Sequence, residues 1–110
     1  MKHTNEVRKL YPETVQEFEN IELDLLELFS KKQQDYGPRN ISMGTPLQSE
    51  EDIKLSMIGL AVRMNDKVSR LINLLIKGKE PNNESLEDTF VDLANYSIMA
   101  LIVKKRKWGK

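Results

Sequence analysis

The chain has 110 residues, which suit a single domain and suffice for one hydrophobic core without disulfides. Lysine plus arginine and aspartate plus glutamate both number 17, so the net charge is about zero, which argues against a broad nucleic-acid interface. There is no cysteine, which excludes thiol catalysis, zinc ribbons and disulfide bonds.

No segment of the sequence has the length and hydrophobicity of a targeting signal or a membrane span. The first residues, MKHTNEVRKLYPE, lack the apolar stretch of a signal peptide. The longest apolar run, from Ser97 to Val103, is far shorter than the ~20 residues that cross a bilayer. We therefore expect a cytoplasmic protein without a membrane partner.

The predicted elements are all α-helical, with three long helices in one domain over residues 12–107. Residues 1–11 show no clear period and are expected to fray, and residues 108–110 are expected to form a tail. The first helix, near 12–36, starts with Pro12 in its first turn and ends before Gly37. An irregular loop is predicted for residues 37–48, which hold two glycines and two prolines.

The second and third helices are predicted near residues 50–77 and 84–107. Ser49, followed by Asp52, resembles a capping box at the start of the second helix, and Gly78 ends it. Asn83 or Ser85 caps the third helix. Because helical periodicity runs through all three segments and no strand signal is present, the sequence predicts an all-α helical bundle.

The third helix combines apolar residues on two sides with an acidic stripe. Helical spacing predicts that one seam faces the core: Leu86, Phe90, Leu93, Ser97, Ala100 and Leu101. Asp88, Asp92 and Asn95 lie on the far side, which Val91 and Met99 also flank. A helix that is apolar nearly all round is buried on two sides, so we expect a homo-oligomer, a dimer or a multiple of one, to complete the bundle.

The acidic stripe needs a partner, since carboxylates one turn apart repel each other. One candidate partner is the basic stripe of Arg63, Lys67 and Arg70 on the second helix. The other is a divalent cation that Asp88 and Asp92 hold together with Glu22, the inward member of a Glu19-x-x-Glu22 pair, because hard cations prefer carboxylate oxygens. The sequence leaves both possibilities open.

Three motifs resemble the nucleotide modification associated domain 1 family, which is common in tailed phages and bacteria. They are QQDYGPRN, with Lys32, Asp35, Tyr36 and Gly37; RMNDKVSRLINL, with Arg63, Asp66, Lys67 and Arg70; and DTFVDLANYSIMALI, with Asp92 to Tyr96. The likeness covers roughly residues 20–103. It implies a role near nucleotide or DNA-base modification and names no reaction. For a phage-encoded member, the compartment would be the host cytoplasm.

The chain is also similar, more weakly, to the MazG-like all-α nucleoside triphosphate pyrophosphatases, which are helical oligomers that hold magnesium with paired acidic motifs. Glu19-x-x-Glu22 matches part of their first motif, although Phe18 stands where they carry an acidic residue. Asp88-x-x-x-Asp92 corresponds to their second motif with one extra residue of spacing.

Three hypotheses of function follow. In the first, a magnesium-dependent nucleotide pyrophosphohydrolase, Glu22, Asp88 and Asp92 bind the metal and form the catalytic centre. The expected ligand-binding residues are Lys32, Tyr36, Arg39, Arg63, Lys67, Arg70, Asn95 and Tyr96. In the second, the chain binds or sequesters a nucleotide, such as a signalling nucleotide, without catalysis. In the third, it is a structural or accessory subunit of a base-modification system.

Overall fold

The computed structural model describes residues 1–42, 44–78, 80–81 and 84–110. These residues contain helices and no strand, which confirms the all-α prediction. The helices are α1 (Lys2–Leu10), α2 (Pro12–Tyr36), α3 (Arg39–Ser42), α4 (Glu50–Lys77) and α5 (Leu86–Lys104). In this part of the chain, no helix combines the length and hydrophobicity that a membrane span requires.

The ends of the long helices follow from local chemistry. Gly37 ends α2 with φ 68° and ψ −172°, a combination essentially restricted to glycine. The Ser49 hydroxyl accepts a hydrogen bond from the Asp52 backbone N–H at 3.1 Å and caps α4, and left-handed Gly78 ends it. Ser85 caps α5 by accepting from the Asp88 N–H at 3.0 Å. The other candidate cap, Asn83, lies outside the described residues.

Three segments differ from the sequence-based expectation. Residues 2–10 form α1 instead of fraying, because α1 lies against α2, where Arg8 pairs with Glu19 at 2.5 Å. The short α3 forms inside the predicted loop and packs on α4. Trp108, assigned to a tail, is buried; its indole N–H donates to the Pro38 carbonyl at 2.8 Å.

The core lies where α3, α4 and α5 meet the C-terminal segment. Its buried members are Ile41, Leu47, Ile53, Leu60, Met99, Val103 and Trp108. The Trp108 ring meets Phe29 of α2 edge-on, with ring centroids 5.8 Å apart. This contact joins the last part of α2 to the core, while α1 packs against α2.

The orientation of α5 about its own axis corrects the predicted seam. The buried side chains of α5 are Thr89, Asn95, Met99 and Val103, on the side that was expected to face away from the core. Phe90, Ser97 and Leu101 of the predicted seam are exposed. The physical reason is that the inward polar side chains of α5 make hydrogen bonds and ion pairs with α2 and α4. These interactions offset the cost of burying polar groups.

The chain is more open than a compact monomer. Its radius of gyration is 16.5 Å, compared with the ~13 Å expected for a compact chain of this length. The three long helices are present, but a single chain does not close them into a compact bundle.

Candidate functional site

A polar cavity of about 290 Å³ lies between the end of α2, the short α3, and the facing sides of α4 and α5. We call it the α2–α5 cavity. Two helices contribute side chains at the i, i+3, i+4, i+7 spacing that aligns residues on one helix face. The lining residues are Phe29, Lys32, Gln33 and Tyr36 of α2; Asn40 of α3; Arg63 of α4; and Asp92, Asn95, Tyr96 and Met99 of α5.

Asp92 is the centre of a charge network at one wall of the cavity. One carboxylate oxygen lies 3.1 Å from the Lys32 ammonium and the other 3.1 Å from the Lys67 ammonium. Lys67 also binds Glu84, at 2.8 Å. Partial burial pushes the pKa of Asp92 up, but hydrogen bonds from Lys32 and Lys67 outweigh it and hold that pKa below its usual value. The hydrogen bond to Glu84, followed by the contact with Asp92, raises the pKa of Lys67 against the opposing effect of burial.

The amide side chains of the cavity differ in how they are satisfied. The Asn95 amide donates to the Leu25 carbonyl of α2 at 3.3 Å, so it connects α5 to α2. The side-chain oxygen of Asn40 is buried and has no hydrogen-bond partner among the described residues. Arg63 donates one N–H to the Asn40 backbone carbonyl at 3.2 Å. A guanidinium carries five N–H donors, so most of its donors remain for a ligand.

Residues 32–103, more than half of the chain, match the family model described as nucleotide modification associated domain 1. The chain belongs to the nucleotide modification associated domain 1 family. Neither the curated proteins nor the solved structures include a significant match. The matched segment contains every residue that lines the α2–α5 cavity except Phe29. The cavity therefore lies almost wholly within the matched segment, whereas α1 and most of α2 precede the match.

Six of the expected site residues line the cavity of this family domain: Lys32, Tyr36, Arg63, Asp92, Asn95 and Tyr96. Lys67 contacts the cavity through Asp92. Arg70 points instead to the start of α5, where it donates to Thr89 at 2.7 Å and to the Glu84 carbonyl. Arg39 is exposed on α3 and does not line the cavity.

The three carboxylates expected to bind magnesium lie in different surroundings. Asp92 is paired with two lysines, and Asp88 is exposed in the first turn of α5. Glu22 lines a separate groove between α1 and α2. Within residues 1–42, 44–78, 80–81 and 84–110, no three histidine, cysteine, aspartate or glutamate side chains cluster as metal ligands. In a single chain, the structure thus does not bring Glu22 together with the two aspartates.

Five residues around the cavity were not expected from sequence: Phe29, Gln33, Asn40, Met99 and Glu84. A signal for Gln33 and Phe29 existed, because they share a helix face with Lys32 and Tyr36. Met99 likewise shares a face with Asp92 and Asn95. No sequence signal pointed to Asn40 or Glu84. Asn40 lies on a helix of only four residues and Glu84 precedes α5, so neither belongs to the face of a long helix.

Proposed function

We propose that this family domain binds a mononucleotide in the α2–α5 cavity. The observation that supports the proposal is the combination around one cavity of an aromatic ring, two cations and a buried amide oxygen that has no hydrogen-bond partner in the described part of the chain. Small-molecule sites usually occupy ~300–1,000 Å³. A cavity of about 290 Å³ is at the low end of that range, which favours one base and its sugar over a dinucleotide.

The base binds between the tyrosines and the amides. Tyr36 is 65% exposed at the cavity, so its ring face is available for stacking, which does not require a particular base. The side-chain amides of Asn40 and Gln33, which both line the cavity, then contact the base edge, because an amide can both donate and accept. A ligand that satisfies the Asn40 oxygen also removes the penalty of a buried group without a hydrogen bond.

The phosphate binds to Arg63 and Lys32. Arg63 has N–H donors beyond the one that Asn40 accepts, and a guanidinium suits the paired oxygens of a phosphate. Lys32 shares its charge with Asp92, and Lys67 is shared between Asp92 and Glu84. Among the lining residues, Lys32 and Arg63 therefore exceed Asp92 by one positive charge, which fits an anion of low charge.

Binding is better supported than hydrolysis because Asp92 is already engaged by two ammonium groups. A magnesium ion would have to displace or compete with these lysines. Magnesium-dependent pyrophosphohydrolase activity stays a prediction from the sequence. The family's association with nucleotide modification is compatible with either role.

Calorimetric titration of the purified chain against ribo- and deoxynucleoside monophosphates and triphosphates tests the proposal. We expect Arg63→Ala to weaken binding by about 10- to 100-fold, the usual effect of losing a charge-assisted hydrogen bond. Arg39→Ala is the matched control, since it removes an exposed arginine that does not line the cavity, and we expect no change. Tyr36→Ala should cost about 5- to 100-fold through lost stacking.

Repeating the titrations with magnesium and measuring released pyrophosphate tests the hydrolase hypothesis. Magnesium-dependent release that Asp92→Asn abolishes would replace the binding proposal with the enzymatic one. If the folded chain binds no nucleotide under any condition, both nucleotide hypotheses fail and the accessory-subunit hypothesis is favoured. Equal losses from Arg63→Ala and Arg39→Ala would show that the α2–α5 cavity is not the site.

A further inference from the structure

The outward face of α4 carries an apolar seam that the described part of the chain leaves exposed. The inward face of α4 buries Ile53, Ser56, Leu60 and Leu71. Nearly opposite, large apolar side chains between 47% and 79% exposed lie in a row: Leu55, Ile58, Val62, Ile72 and Ile76. Asn65 and Ser69 continue the row through its middle. We call these seven positions the α4 seam.

The α4 seam has the spacing of a helix–helix interface. Its positions alternate by three and four residues from Leu55 to Ile76, which is the heptad pattern of side chains that interlock between two helices. The polar pair, Asn65 and Ser69, interrupts it once. A polar residue such as Asn65 in such a seam helps to set register and partner at some cost in stability.

The seam is also nearly symmetric about residue 65. Leu55 and Ile76 are almost equally far from that point, as are Ile58 and Ile72. If a second α4 lies antiparallel, Leu55 meets Ile76, Ile58 meets Ile72, Val62 meets Ser69 and Asn65 meets its own copy. This self-complementarity is what a two-fold interface requires, because the same surface must serve both partners.

Charge complementarity favours the same antiparallel arrangement. The first turn of α4 carries Glu50, Glu51 and Asp52, and its last turn carries Lys77. In an antiparallel pair centred near residue 65, Lys77 of one copy lies level with Asp52 of the other and on the same flank of the seam. The helix dipoles also oppose each other in this arrangement, whereas a parallel pair would place the acidic turns side by side.

The chain exposes more surface than a compact monomer of its mass, which leaves area for a partner to cover. The chain exposes 8547 Å², whereas a compact monomer of 12.8 kDa exposes about 6,300 Å². The excess, about 2,200 Å² over the whole chain, is above the ~800 Å² that each partner buries in a stable interface.

We propose that the α4 seam pairs antiparallel with the α4 seam of a second copy, about a two-fold axis near Asn65. This assignment rests on the α4 surface and does not depend on nucleotide binding. It differs from the expectation based on sequence, in which the third helix met the partner.

Cysteine cross-linking tests the pairing, because the natural chain has no cysteine to interfere. Asn65→Cys should cross-link to its own copy with a short bis-maleimide reagent. Leu55→Cys is the matched control: in the antiparallel dimer its own copy is about 31 Å away along the helix, so it should not cross-link. Co-expressed Leu55→Cys and Ile76→Cys chains should cross-link to each other.

Light scattering on the full chain completes the test, with an expected mass of twice 12.8 kDa. Val62→Glu should reduce that mass by half while circular dichroism stays helical. Self-cross-linking of Leu55→Cys would show a parallel pair. A wild-type monomer at micromolar concentrations, or a dimer without cross-links through Asn65→Cys, would overturn the α4 assignment.

Discussion

Asp92 explains, at the scale of single residues, why a mostly apolar helix carries a carboxylate on its inward side. Its side chain is 15% exposed, and each of its oxygens is paired with a lysine ammonium, Lys32 on α2 and Lys67 on α4. A carboxylate at this depth would be costly without such partners. The sequence left two partners possible, the basic stripe or a metal ion, and the structure pairs Asp92 with Lys67 of that stripe. Lys32 was expected to hold phosphate and was not expected as an additional partner.

Asp92→Asn should therefore destabilise the fold. The amide keeps the shape of the side chain but loses the charge, so we expect a loss of about 1–2 kcal/mol in unfolding free energy at neutral pH, measured by urea denaturation. Asp88→Asn, one turn away and exposed in the first turn of α5, is the control and should cost less, because it removes only a solvent-exposed charge near the helix N-terminus. If Asp92→Asn were more stable than wild type, the hypothesis that ion pairs stabilise Asp92 would be wrong. Relief of repulsion between carboxylates at a metal site would then be the favoured explanation.

The pH dependence of this difference has a defined sign. The pKa of Asp92 in the folded state lies below its usual value of 3.8. The contribution of Asp92 to the free energy of unfolding is therefore complete above pH 3.8 and is lost as pH falls through the folded-state pKa. The pKa of Lys67 is raised above 10.5, so its contribution is complete below that value and is lost only at higher pH. The gap between wild type and Asp92→Asn should thus be constant near neutrality and should close in strong acid.

At the scale of elements, the positions of the long helices were predictable and the rotation of α5 was not. Pro12, Gly37, Ser49 and Gly78 act locally on backbone geometry, so their effect can be read from sequence. Local signals could not predict which face of α5 is buried, because α5 is apolar nearly all round. Its buried face depends on contacts with Lys67 and Leu25, which lie far away in sequence. α3 and the burial of Trp108 likewise depend on tertiary contacts.

The N-cap of α5 supports a testable prediction at this scale. Ser85 satisfies the Asp88 N–H, and the adjacent Glu84 binds Lys67 and, through its carbonyl, Arg70. Ser85→Ala should lower the free energy of unfolding by about 1 kcal/mol, measured from the urea midpoint. Ser97→Ala, in the exposed middle of the same helix, is the control and should be neutral or slightly stabilising, because its hydroxyl only bonds back to the Leu93 carbonyl. Equal losses for both would show that the cap is not the cause.

At the scale of the whole molecule, the residues of the candidate site could be predicted from single helices more fully than the packing of those helices. Two helix faces supply most of the α2–α5 cavity, so the residues on each face could be found from spacing alone. That these two faces meet, and that Asn40 completes the cavity, depends on how α2 and α5 pack. Glu22 shows the limit of spacing arguments: it lies at the edge of an apolar seam, yet it faces the groove beside α1.

The openness of the chain gives the last prediction. The structure measures 45 × 42 × 24 Å and leaves large apolar side chains exposed on α2, α4 and α5. If a second copy covers the α4 seam, dissociation accompanies unfolding, so a tenfold rise in concentration stabilises the dimer by ~1.4 kcal/mol. With an unfolding entropy of ~2.1 cal/mol/K per residue, the melting temperature should rise by ~3 °C per tenfold concentration. Calorimetry across a hundredfold range measures this shift, and Val62→Glu should abolish it. A wild-type melting temperature independent of concentration would instead mean that the open chain is stable alone.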